Sequence, residues 1–155
     1  MERNGHAQPR LVIATDGSPG AREALETGVA LARGSRAAAT FVYVRHGPLP
    51  VLGDPFYQRS LSDELRRARS ALTEAEALAA EAGVEAESEI LEGHPAERVI
   101  ELARARNADL IVVGSRGRGG ITGALLGSVS TEIVHKADRP VLVTKQRSRA
   151  RSRAA

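Results

Sequence analysis

Cysteine is absent from the 155 residues, which excludes disulfides and thiolate metal sites and suits a reducing compartment. Tryptophan is also absent, with only two tyrosines and two phenylalanines, so valine, isoleucine, leucine and alanine must build the core. No apolar run approaches the roughly 20 residues of a membrane span. The opening MERNGHAQPR lacks the apolar centre of a secretory signal, and a cytoplasmic location is expected. Lysine occurs only twice and none directly follows Gly127, so the glycine-rich stretch described below is not a Walker A loop.

Charge is unevenly spread. Lys145, Arg147, Arg149, Arg151 and Arg153 fall in the last eleven residues, and removing these five takes the net charge from +3 to −2. The folded part is therefore near neutral, with a basic tail. So few charges give weak, salt-sensitive contact with nucleic acid, and aromatic stacking residues are missing nearby. One domain over residues 8–146 is expected, with 1–7 and 147–155 as flexible termini.

Apolar runs of strand length alternate with helical periods five times. RLVIAT (10–15), ATFVYV (39–44), VEAESEIL (84–91), DLIVVG (109–114) and RPVLVT (139–144) read as strands. Between the first two, Ser18 caps and Pro19 opens a helix that Gly34 is expected to end. Residues 45–59, with three prolines, read as a loop before a helix from Ser62 to Ala82, whose inner face carries Leu65, Ala68, Leu72, Ala75 and Ala79. Pro95 opens a helix to Arg106, and another is expected from Ser128 to Lys136.

Such alternation predicts an open five-stranded parallel sheet with helices on both faces. The third strand alternates glutamate with smaller residues and the fifth begins with Pro140, so both suit sheet edges. The order 3-2-1-4-5 satisfies both with right-handed crossovers. A ligand is then expected beyond the carboxyl ends of the first and fourth strands, where the chain changes direction. TDGS (15–18) and GSRG (114–117) fall there.

GSRGRGGITGALLGSVS (114–130) holds six of the fifteen glycines. Glycines before a helix N-terminus let backbone N–H groups approach an anion, and the helix dipole adds about half a positive charge. Ser128 and Ser130 add hydroxyls, with Ser128 able to cap, and Arg116 and Arg118 add charge. Asp16 could be only a turn residue. No G-x-G-x-x-G is present, so a dinucleotide site is not expected. Histidines 6, 46, 94 and 135 show no ligand spacing, and no metal site is predicted among them.

The spacing Gly114-x2-Gly117-x9-Gly127-Ser128 resembles the ATP-binding signature of the universal stress protein family. VIATDGSPGAREAL, GHPAERVIELARARNADLIVVGSRGRGG and LLGSVSTEIVHKADRPVLV extend the likeness over most of the chain. The resemblance implies a Rossmann-like fold of the adenine nucleotide alpha hydrolase type. It implies adenine beside Ala14 and Thr15, bonded to the backbone of Val44, with Asp16 near ribose, phosphates and a phosphate-bound Mg²⁺. Gly114, Arg116 and Gly117 are implied to line the ribose, while Gly127, Ser128, Val129 and Ser130 hold phosphates. It also implies a homodimer through the last strand.

The sequence therefore reads as an ATP-binding regulatory or protective protein with slow hydrolysis at most, since no lysine clamp or paired carboxylates accompany the loop. Three other readings stand beside it. One is a dimeric scaffold without nucleotide, and another is a nucleic-acid binder using the tail. The third is a phosphoacceptor signalling domain, for which the acidic pair after the first strand is missing.

Overall fold

The computed structural model describes residues 7–47, 54–116 and 126–146. The elements run β1 (Arg10–Ala14), α1 (Pro19–Ser35), β2 (Ala38–Arg45), α2 (Asp54–Ala82), β3 (Ala86–Glu92), α3 (Pro95–Ala105), β4 (Leu110–Gly114), α4 (Ser128–Lys136) and β5 (Val141–Thr144). Every pairing is parallel, in the order β3-β2-β1-β4-β5. The predicted topology and both edge assignments hold.

Strand alternation sends side chains to two cores. On one face Leu11, Ile13, Phe41, Tyr43 and Val112 pack against Leu25 and Val29 of α1 and Ala68, Leu72, Ala75 and Ala79 of α2. On the other, Val12, Val42, Ile111 and Val113 meet Val99, Leu102 and Ala103 of α3 and Ile133 of α4. β1 and β4 are covered on both sides, which is why their runs are apolar throughout. The glutamate face of β3 is not simply wet. Arg106, just beyond α3, reaches Glu87 at 2.7 Å and also pairs with Glu89, while Thr40 donates to Glu87 at 3.2 Å.

Two helix boundaries differ from expectation. α2 begins at Asp54, so 54–59 are helical rather than loop. Pro55 is the second helical residue, where its missing N–H costs nothing; counted with Pro48 and Pro50, it resembled a loop marker. α1 passes through Gly34 to Ser35 and ends on Arg36 in the left-handed region, φ 56°. The amide of Ala37 then returns to the carbonyl of Ala32 at 2.9 Å, as in a glycine-terminated helix. α2 and α3 are followed by Gly83 (φ 68°) and Asn107 (φ 50°), residue types that tolerate this conformation. Arg36 does not.

Arg36→Gly should therefore raise stability by about 0.5–1 kcal/mol, the left-handed strain relieved less the extra unfolded-state entropy. Urea melts of the two proteins measure it, and an unchanged or lower midpoint contradicts the assignment of strain.

Candidate functional site

The first and fourth strands part company at their carboxyl ends, and a cleft of about 390 Å³ opens there. That volume lies within the range of small-ligand sites, roughly 300–1,000 Å³. Ala14, Thr15, Asp16, Val44, Gly114, Arg116, Gly127, Ser128, Val129 and Ser130 all line it. The switch point thus brings together all but one of the residues expected there. Gly117 and Arg118 lie outside the described residues.

The β1–α1 turn is built by its own side chains. The Asp16 carboxylate accepts the amide of Ser18 at 2.9 Å, and Thr15 Oγ1 accepts that of Gly17 at 3.2 Å. Ser18 caps α1 by accepting the amide of Ala21 at 3.2 Å. Asp16 is therefore a turn residue as well as a cleft residue.

β1 ends before β2 does, and this leaves polar backbone open to the cleft. Ala14 pairs with Val42, and the amide of Thr15 donates to the carbonyl of Val42 at 2.9 Å. In a parallel ladder, alternate residues present N–H and C=O to the same neighbour. Val44 follows Val42 in that alternation, while Arg45 faces β3 and accepts the amide of Gly93 at 3.0 Å. The amide and carbonyl of Val44 hence project past the end of β1, where no strand among the described residues meets them. Beside them the wall is apolar: Val42, Pro95, Val99 and Val113.

The opposite wall is the N-terminus of α4. Gly127, not Ser128, is its N-cap, with no side chain capping it and no acidic residue in the first turn. The first backbone bond of the helix is the Thr131 amide to the Gly127 carbonyl at 3.0 Å. The amides of residues 128–130 precede that bond and face a site that also carries Arg116, an arrangement suited to an anion. Ser130 is 2% exposed, and its hydroxyl donates to the carbonyls of Gly127 (3.1 Å) and Ser115 (3.3 Å). It ties the loop to the helix from within.

The glycines divide into two kinds. A Cβ at Gly114 would lie 2.7 Å from the carbonyl oxygen of Gly20, and one at Gly20 would lie 2.5 Å from that of Arg116. Both are glycine because the first turn of α1 rests on the end of β4. A Cβ at Gly127 would come no nearer than 3.1 Å, to the carbonyl of Ser115. Packing demands the first pair and only mildly restricts the third.

Other cleft residues escaped the sequence reading. Val42 could have been found by stepping two residues back along the strand from Val44. Pro95 and Val99 belong to the first turns of α3, and Glu64 and His46 come from beyond the switch point. Tyr43 lines the cleft and is 2% exposed.

His94, one of the histidines without ligand spacing, is exposed. It precedes the helix without a side-chain cap bond, and its Nε2 lies 3.5 Å from Glu132 of α4. Glu97 joins them, with donor atoms within 4.8 Å of one another, a grouping that histidine spacing could not reveal. Lys136 already bonds Glu132 at 2.7 Å, and together with His94 it holds that carboxyl below the usual range.

The fold and its crevice define a doubly wound α/β domain with a small-ligand cleft at the switch point. A profile of the universal stress protein family matches residues 9–145, and the chain belongs to that family. It is 37% identical over 137 residues to a universal stress protein of Thermus aquaticus, covering 87% of this chain and 97% of the relative. Among solved structures, universal stress protein UspA from Lactobacillus plantarum matches with a TM-score of 0.79 and 26% identity, over 89% of this chain and 99% of that one. A universal stress protein in complex with cAMP matches with a TM-score of 0.67 and 27% identity, over 91% and 99%.

Gly114→Ala should cost about 1–3 kcal/mol, because backbone atoms on both sides must move. Gly127→Ala should cost less than about 1 kcal/mol, since its φ of −76° suits any residue and the Ser115 carbonyl need move only a few tenths of an ångström. Equal losses in chemical denaturation would refute this division.

Proposed function

We propose that this protein binds ATP with Mg²⁺ in the switch-point cleft and acts as a nucleotide-responsive regulatory or protective homodimer in the cytoplasm. One observation carries the reading: the open amide and carbonyl of Val44 face an apolar slot across from the uncapped N-terminus of α4. A purine edge with one donor and one acceptor matches the first, and phosphates match the second. Ala14 and Thr15 border the base, and Asp16 stands where a phosphate-bound Mg²⁺ could be reached through water. Ser128 and Val129 offer amides to the phosphates. The relative solved with cAMP supports an adenine nucleotide as the ligand class.

Catalysis contributes little to this reading. Among the described residues the cleft contains no lysine, so no lysine clamp of the kind used in phosphoryl transfer is among them, and hydrolysis is read as slow at most. The dimer rests on β5, an edge strand whose Val141, Leu142 and Val143 are only half-buried. Among the described residues no helix is long and apolar enough to cross a membrane.

Denaturing the purified protein should release an adenine nucleotide, or the emptied protein should take up ATP with Mg²⁺. Gly127→Val should keep the fold and lose at least about tenfold in affinity, because a branched side chain beside the Ser115 carbonyl crowds the α4 amides that would hold the phosphates. No released nucleotide and no binding at millimolar ATP leaves the dimeric scaffold as the better reading. Light scattering at micromolar protein tests the dimer separately, and a monomeric mass disproves it.

A further inference from the structure

α2 is much longer than the sheet it covers. Its 29 residues extend ~43 Å, against ~26 Å for a strand of eight residues such as β2. The excess lies at one end. A Cβ on Gly17 would sit 3.5 Å from that of Ala71, which places Ala71 beside the β1–α1 turn at the carboxyl edge of the sheet. α2 runs back toward the start of β3, so its residues before Ala71 rise beyond that edge. Glu64 lies seven residues earlier, two turns or ~10 Å further out and on nearly the same helical face. It is half-buried and lines the cleft.

Among the described residues, no hydrogen bond or ion pair engages Glu64. A carboxylate inside a cleft meant for phosphates is repulsive unless it meets a bound cation, the role given to Asp16, or uncharged hydrogen-bond donors of the ligand. Val44 already offers the donor and acceptor that a base edge requires, and α4 offers amides to the phosphates. The sugar, between those two parts of a nucleotide, carries only hydroxyls, and a carboxylate accepting from a ribose hydroxyl is a widely used pairing.

We infer that Glu64, projected over the cleft by the overhang of α2, accepts hydrogen bonds from the ribose hydroxyls and makes the site select ribonucleotides over deoxynucleotides. This rests on the nucleotide reading above and adds a selectivity residue to it. The residue sits in a segment that is not needed to complete the sheet.

The test measures affinities of the full chain for ATP, 2′-deoxy-ATP, 3′-deoxy-ATP and inosine triphosphate, in the wild type and in Glu64→Ala and Glu64→Gln. The wild type should bind ATP about tenfold more tightly than at least one deoxy form, the worth of a bond to a charged acceptor. Glu64→Ala should lose that margin by weakening ATP while leaving that deoxy form unchanged, and Glu64→Gln should fall between. Uniform weakening of all four ligands, or retention of the margin, overturns the assignment. So does a loss confined to discrimination between ATP and inosine triphosphate, which would put Glu64 on the base. If the wild type binds none of the four, the nucleotide reading falls and this one with it. A wild type that binds ATP without preferring ribose removes Glu64 alone.

Discussion

The contact between the first turn of α1 and the end of β4 sets the geometry of everything around the cleft. Gly20 and Gly114 allow two backbones to meet at distances no Cβ would permit. With them in place, β1 and β4 can be adjacent while their following segments diverge, α1 to one face and the chain toward α4 to the other. The crevice is a consequence of that divergence, and no side chain has to be carved away to make it. The residues lining it could change widely while the crevice remained, which is why a fold of this type carries ligand chemistry in its loops.

Much of the architecture was readable because it depends on local pattern. Apolar runs at β1 and β4, alternation at β3 and the cap at Ser18 each state one physical requirement. Together they determine the strand order. The misread boundaries arose where one residue type serves two ends. Pro55 opens a helix but resembles a loop, and Gly34 resembles a terminator but lies within α1 while Arg36 takes the strained position.

The site was readable in position and less so in role. Glycine spacing pointed to the crevice, yet spacing cannot separate a glycine required by packing from one beside a ligand. Gly114 and Gly127 look alike in sequence and differ in what surrounds them. Ser130 illustrates the same limit, since a hydroxyl expected to face the cleft is turned to the carbonyls of Ser115 and Gly127. Glu64 could not be assigned at all, because its relation to the cleft follows from the length of α2 and from the contact of Ala71 with Gly17.

Ser115 connects the cleft to the sheet edge. Its carbonyl accepts from the Gly127 amide and from Ser130, and its own amide donates to the Thr144 carbonyl at 2.8 Å. It is 6% exposed, so these bonds have little competition from water. One residue therefore holds the start of α4 through its carbonyl and the end of β5 through its amide. Any ligand that repositions the amides of α4 must act against Ser115, which is bonded in turn to an edge strand whose apolar residues are only half-buried. If the proposed nucleotide site and dimer seam are both right, coupling between them would need no distant relay, because the two places share the hydrogen bonds of Ser115.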